Sequence, residues 1–234
     1  MNATNAVLDV DDLSVVIANK MEDDEDYVQA LNDPLAANMP PRTQRCWLLP
    51  TPGQLFSIHY CWNGHQRTGN RRGAGLFCEL SIDGVVVERA FLPLKPGSNT
   101  NGRLEREWEI PGKFFRASDN SSMQLPFRFG VRKIDPNVAH PPETGIIRVV
   151  LYWARHNDNV PNLFPPLTAA RALSIASILC MPSSDPALQL CVDLGDPEPS
   201  EVQENDMRVE RVDNLDYTFI FVYAGPGESL AWFD

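Results

Sequence analysis

Apolar and polar residues alternate along most of this chain, and the pattern is clearest between Leu76 and Leu92. There Leu-Phe-Cys-Glu-Leu-Ser-Ile runs into Asp83-Gly84 and out through Val-Val-Val-Glu-Arg-Ala-Phe-Leu. An Asp-Gly pair between two such runs predicts a hairpin with a two-residue turn, because that turn needs positive φ at both central positions. With Ile82 opposite Val85, Leu80 faces Val87, Cys78 faces Arg89 and Leu76 faces Phe91. One face then collects Leu76, Cys78, Leu80, Ile82, Val85, Val87 and Phe91. The other sets Glu79 against Glu88, a like-charge pair that needs water to screen it. A hairpin that is greasy on one side must lie on a second layer, so the pattern predicts an antiparallel sandwich or barrel.

Other segments repeat the period of two. Leu13 to Ala18 reads as a short strand and Cys46 to Leu49 as the start of the regular part. Gln54 to Trp62 turns Phe56, Ile58, Tyr60 and Trp62 to one side, and Leu55, Ser57, His59 and Cys61 to the other. Arg103 to Ile110 sends Leu104, Trp108 and Ile110 inward, with Glu105, Glu107 and Glu109 outward. Met123 to Val131 is a strand that Pro126 confines to an edge or a bulge, since proline has no N–H to donate. Gly145 to Ala154 is apolar on both faces and reads as central, while Leu188 to Leu194, Met207 to Val212 and Tyr217 to Tyr223 complete the set. One segment has helical spacing: Ala169, Leu173, Ala176 and Cys180, within Pro161 to Pro182.

These elements predict an all-β fold, a single antiparallel β-sandwich of jelly-roll or Greek-key type with one short helical insert. The expected division is an acidic lead-in with short strands over 1–45 and a sandwich over 46–234, with the insert at 157–184. A chain of 234 residues can bury a core of this kind without staples. Its five cysteines are odd in number and never spaced Cys-x-x-Cys, which points to a reducing, intracellular setting, cytoplasmic or nuclear. The apolar, uncharged stretch Ala172 to Ser184 is too short to cross a bilayer, so no membrane association is expected.

Charge changes the picture further. The net −11 divides into −6 over residues 1–45, +5 over 46–182 and −10 over 183–234. A basic middle between acidic ends suits either ends that fold back or surfaces that meet different partners.

Several segments together resemble an uncharacterised fungal β-sandwich domain family. They are Cys46-Trp-Leu-Leu-Pro-Thr-Pro-Gly-Gln-Leu-Phe-Ser-Ile-His59, Glu79-Leu-Ser-Ile-Asp-Gly-Val-Val87, Phe127-Arg-Phe129, Gly145-Ile-Ile-Arg-Val-Val-Leu-Tyr152 and Tyr217-Thr-Phe-Ile-Phe-Val-Tyr223. The resemblance covers residues 10 to 230 in order and implies interaction or scaffolding, with no catalytic residues to transfer. The Arg-rich loop at 64–73 and the apolar insert at 167–181 depart from it.

Candidate chemistry is sparse. The loop His65-Gln-Arg67-Thr-Gly-Asn-Arg71-Arg72-Gly73 could hold an acidic protein motif, but three arginines in an acidic chain are too few for phosphate-dominated nucleic-acid binding. Phe114-Phe115, in a predicted Gly-Lys-Phe-Phe-Arg loop, is the expected exposed apolar pair. The contact residues expected are therefore Arg67, Arg71, Arg72, Phe114 and Phe115. Glu105, Glu107 and Glu109 offer paired carboxylates at the roughly 7 Å that any strand gives, so the spacing is not specific to glycoside hydrolysis. His59, Cys61, Cys78 and His65 lack zinc-ligand spacing. Cys78 opposite Arg89 would have a lowered pKa, but with no histidine nearby in sequence a core role is expected. No nucleophile elbow, phosphate loop or dinucleotide fingerprint occurs. The expectation is a non-enzymatic interaction or scaffold module binding a protein partner, without cofactor or metal. The alternatives are a carbohydrate-binding or glycoside-hydrolysing sandwich using Glu105, Glu107 and Trp108, and a self-assembling homo-oligomeric jelly roll.

Overall fold

A computed structural model describes residues 3–20, 27–64, 71, 73–93, 107–133, 143–160, 188–200 and 208–223. The first half of the chain supplies β1 (Thr4–Asn5), β2 (Val7–Val10), β3 (Leu13–Asn19), β4 (Gln29–Asn32), β5 (Thr43–Leu48), β6 (Leu55–Trp62), β7 (Gly75–Ile82), β8 (Val85–Leu92) and β9 (Glu107–Ile110). The second half supplies β10 (Gly112–Arg116), β11 (Ser122–Lys133), β12 (Ile146–His156), β13 (Leu188–Leu194), β14 (Glu198–Pro199), β15 (Val209–Arg211) and β16 (Tyr217–Tyr223). The helical insert expected within Pro161 to Pro182 lies outside the described residues.

The strands form two eight-stranded sheets packed face to face, the all-β sandwich that the alternation predicts. The first sheet runs β1-β4-β5-β16-β12-β7-β8 with β15 beside β12; the second runs β10-β11-β6-β3-β2 with β9, β13 and β14 attached. β3 lies between β2 and β6, so residues of the acidic lead-in fill positions in both sheets. Among the described residues one pairing departs from the antiparallel rule: β16 runs parallel to β5, from Thr218 opposite Thr43 to Tyr223 opposite Leu48.

Between the sheets lies one continuous core. Phe56, Ile58, Tyr60 and Trp62 of β6 face Ile147, Val149, Leu151 and Trp153 of β12, and Tyr217, Phe219, Phe221 and Tyr223 of β16 join them. Trp62 meets Trp153 edge-on across the gap, their ring centroids 5.8 Å apart, and Phe129 meets Tyr223 at 6.0 Å. Such edge-to-face pairs add about 0.5–1.5 kcal/mol each beyond the area they bury.

The hairpin that opens this fold has the expected turn, with φ of 51° at Asp83 and 78° at Gly84. Its register is different. Ile82 faces Val85 and Ser81 faces Val86, but beyond that point a bulge shifts the pairing. Leu80 then faces Glu88, Glu79 faces Arg89, Cys78 faces Ala90 and Phe77 faces Phe91. The shift replaces the like-charge Glu79 and Glu88 pair with an ion pair, Arg89 to Glu79, at 2.8 Å. It also removes Phe91 from the core face: Phe91 and Phe77 form a separate apolar cluster with Ala154, and the hairpin is apolar on both sides.

Glu88 is turned inward by the same bulge, which suits the extra residue such an irregularity inserts. One Glu88 oxygen accepts from Lys113 Nζ at 3.0 Å and from the Phe114 N–H at 2.9 Å, and the other from the Arg89 N–H at 2.9 Å. Both side chains of the Glu88 and Lys113 pair are buried. The pair ties β8, at the edge of one sheet, to β10, at the edge of the other.

The Gly-Lys-Phe-Phe-Arg segment is consequently strand, not the loop its composition suggests. β10 pairs with the first half of β11, from Gly112 opposite Pro126 to Arg116 opposite Ser122. After Pro126, β11 changes partners and runs between β6 and β13, so the proline marks the switch. Gly112 is required there because a Cβ would press on the Leu125 carbonyl.

Candidate functional site

Arg67 and Arg72 lie outside the described residues. Arg71 is turned onto the end of the sandwich. Its Nε donates to Asp213 Oδ2 at 3.0 Å and its Nη2 to the Tyr217 hydroxyl at 2.9 Å. Its guanidinium lies 5.3 Å from the Trp153 ring centroid and 5.8 Å from that of Tyr217. Burial works against its charge, but the hydrogen bonds to Asp213 and Tyr217 hold its pKa above the ordinary value. Phe115 is buried in the core and Phe114 is partly exposed, so the expected exposed aromatic pair is split by the alternation of β10.

The two outer faces differ. On the second sheet the outer face is polar, as an antiparallel sandwich in water requires. Ser57, His59 and Cys61 of β6 share it with Ser14 of β3 and with Glu107 and Glu109 of β9. Ser14 donates to Asp9 and accepts from Asn63 Nδ2 at 2.7 Å. Ser57 Oγ lies 2.9 Å from His59 Nε2, and His59 Nδ1 lies 3.0 Å from Glu107 Oε1. Glu109 Oε1 lies 3.9 Å from the same Nε2. A carboxylate only accepts hydrogen bonds, so in the neutral ring the proton is on Nδ1, and Nε2 accepts from the Ser57 hydroxyl. Ser57 itself is buried, at 2% exposure, so its hydroxyl is turned to partners within the chain rather than offered to solvent.

Glu105 lies outside the described residues, Glu107 and Glu109 both face His59, and Trp108 packs inward against the core. Among the described residues, no group of three or more His, Cys, Asp and Glu is placed to hold a metal ion. Cys78 lies in the core of the other sheet opposite Ala90, not Arg89, and burial pushes its thiol well above the ordinary range. Burial also raises the Cys61 thiol, the largest influence on it.

On the first sheet the outer face interleaves apolar residues with Arg45, Arg148, Ser81 and Thr218. Leu31, Trp47, Val222 and Ile146 form one row across four neighbouring strands. The next rows add Ile220 and Val150. Leu49, 36% exposed, follows directly after β5 beside Gln29. A second apolar group, Phe77, Phe91 and Tyr152, lies on the same face, with the Phe77 and Tyr152 rings stacked at 4.8 Å. The arginines around these groups are paired with carboxylates of the chain itself: Arg45 with Asp33 at 2.6 Å, Arg148 with Glu143 at 2.5 Å and Arg211 with Asp216 at 2.5 Å.

The sequence pattern missed both arrangements. Ser57 and His59 were visible as neighbours on one strand face, but the register that brings Glu107 to them, Cys61 opposite Glu107, joins strands 46 residues apart. Among the described residues, no helix is long and apolar enough to cross a membrane. No family model, no curated protein and no solved structure matches the chain.

Proposed function

We propose that the chain is a protein-interaction module that offers the outer face of its first sheet to a protein partner. The observation that carries this reading is the row Leu31, Trp47, Val222 and Ile146 on a face where a sandwich in water ordinarily has polar residues. Leu31, Trp47 and Ile146 are partly exposed and Val222 is buried at 8%, so the row offers a narrow apolar strip of the kind a contact surface uses. The arginines beside it are neutralised within the chain, so the partner is a complementary apolar protein surface rather than a phosphate backbone.

The test is a photo-crosslinking residue placed at Trp47, with Ile220→Glu and Val150→Glu introduced into the same background. A cross-linked partner lost on substitution, with cooperative thermal unfolding retained, supports the reading. An unchanged cross-linking pattern refutes it. Light scattering of the purified chain identifies the partner as a second copy if a dimer forms and the substitutions dissociate it.

A further inference from the structure

Resting on the contact face proposed above, we infer that its partner is a second copy of this chain, which presents the same face across a twofold axis. An isologous contact sets one patch against its own image, so it needs a patch without net charge, since like charges brought together repel. The rows of this face meet that condition. Arg45, Ile220, Arg148 and Ser81 form one row across four strands, and Thr43, Thr218, Val150, Glu79 and Arg89 form the next across five. Each arginine there has a carboxylate of its own chain: Arg45 has Asp33 at 2.6 Å, Arg148 has Glu143 at 2.5 Å and Arg89 has Glu79 at 2.8 Å. The charges cancel in place, and Ile220 and Val150 stand between them, both partly exposed.

The outer face of the second sheet fails the same condition. Asp9, Ser14, Cys61 and Glu107 form one row there, and Val7, Val16, His59 and Glu109 the next. Neither row holds a lysine or arginine, so two such faces would bring carboxylates together. The first face is also of a suitable size. Its six adjacent strands, β4, β5, β16, β12, β7 and β8, at about 4.8 Å spacing span roughly 24 Å, and the seven residues of β16 extend roughly 23 Å. The flat extent is about 550 Å², and side-chain relief brings the accessible area toward the roughly 800 Å² that each partner buries in a stable contact. Outside the face the chain is acidic, with a net charge of −11, so screening by salt should favour the dimer.

The test is analytical sedimentation of the whole purified chain over a concentration series, repeated for Ile220→Glu, for Ile220→Lys and for their equimolar mixture. Wild type should show a monomer and dimer in equilibrium, with the dimer fraction held or raised by added salt. Either substitution alone should weaken the dimer about 10²-fold, because it sets like charges against each other, and mixing the two should restore it. Val16→Glu, on the opposite face, should change nothing. Should the Ile220 variants lose cooperative thermal unfolding, Val150→Glu and Val150→Lys decide in the same way. A chain that stays monomeric, a dimer that dissociates in salt, a dimer that survives the single substitutions, or a mixture that remains monomeric would overturn the assignment. A monomeric chain that still cross-links a different protein through position 47 would overturn the second copy alone and leave the contact face standing; a monomer that cross-links nothing would remove both.

Discussion

Replacing Lys113 with Met tests the feature on which closure of the sandwich depends. Lys113 and Glu88 are buried together 3.0 Å apart, where two sheet edges meet. Met matches the length and apolar stem of Lys but removes the ammonium, leaving Glu88 with the N–H groups of Arg89 and Phe114 and no counter-charge. Removing one member of a buried ion pair costs about 3–5 kcal/mol, because the remaining charge stays desolvated. Total stability of a domain is only about 5–15 kcal/mol. For a chain of this size each kcal/mol moves the melting temperature by about 2–4 °C, so Lys113→Met should lower it by roughly 6–20 °C.

Urea unfolding of Lys113→Met, Glu88→Met and the double variant completes the cycle. The double variant should be much closer to wild type than the two single losses added together, since an apolar pair has no stranded charge to bury. It should not recover fully, because the Phe114 and Arg89 N–H groups lose their acceptor at about 1–3 kcal/mol for each one left buried. A loss below about 1 kcal/mol in Lys113→Met would place the pair in the range of surface salt bridges. Additive single losses would equally refute the coupling of the two charges.

Other consequences follow from the core and the turn. Tyr223→Phe removes a donor to buried Asp83 Oδ1, which accepts from the Tyr223 hydroxyl and the Gly145 N–H, each at 2.6 Å; about 1.5–3 kcal/mol should be lost in urea unfolding, and an unchanged midpoint would mean the bond contributes nothing. Of the four described cysteines, only Cys61 is partly exposed, so a thiol reagent at neutral pH should label it ahead of Cys46, Cys78 and Cys191; equally fast labelling of Cys78 would contradict the packing. The Cys46 thiol is pushed from 9.0 up to about 12 by burial first and by Asp33 second, so the folded chain keeps a proton that the unfolded chain gives up. Stability should therefore fall as pH rises from about 9 to 12, by roughly 1.4 kcal/mol per pH unit from this group, with no such effect below that window. Cys46→Ala should flatten the decline, and identical slopes in wild type and variant would exclude this thiol as its source.

Where inward side chains recur every second residue, the sequence was enough. Phe56, Ile58, Tyr60 and Trp62 of β6 and the four aromatic residues of β16 are buried as their alternation requires, and β12 is central because it is apolar on both faces. The hairpin register was harder, since a bulge has no local signature and a shift of one residue reverses every side chain beyond it. There was one sign of it: the simple register opposed Glu79 to Glu88, whereas the observed one gives Glu79 an arginine. β10 was hidden for a related reason. Lys113 looks like a loop residue until its partner is known, and Glu88 is 25 residues away. The outer-face sites were least legible because each is assembled by pairing between distant segments, such as Trp47 beside Val222 in the parallel β5 and β16 contact.

The bulge in β8 links these findings. By directing Glu88 inward it recruits Lys113, and Lys113 holds β10 against the edge of the other sheet. With Phe91 moved outward by the same shift, the first sheet carries aromatic residues on both of its faces. The second sheet has no such displacement along β6, and its outward residues are the Ser57, His59 and Cys61 that alternation assigns there. One inserted residue therefore helps to make the two faces unlike: the first suited to apolar contact, the second to polar chemistry. Deleting Val87 tests this link directly. Without the extra residue Leu80 still faces Glu88, Glu79 faces Arg89 and Phe77 faces Phe91, now in an unbroken ladder, so Glu88 should stay on Lys113 and the variant should lose less stability than Lys113→Met; a loss as large as that of Lys113→Met would show that the bulge itself is needed to seat Glu88.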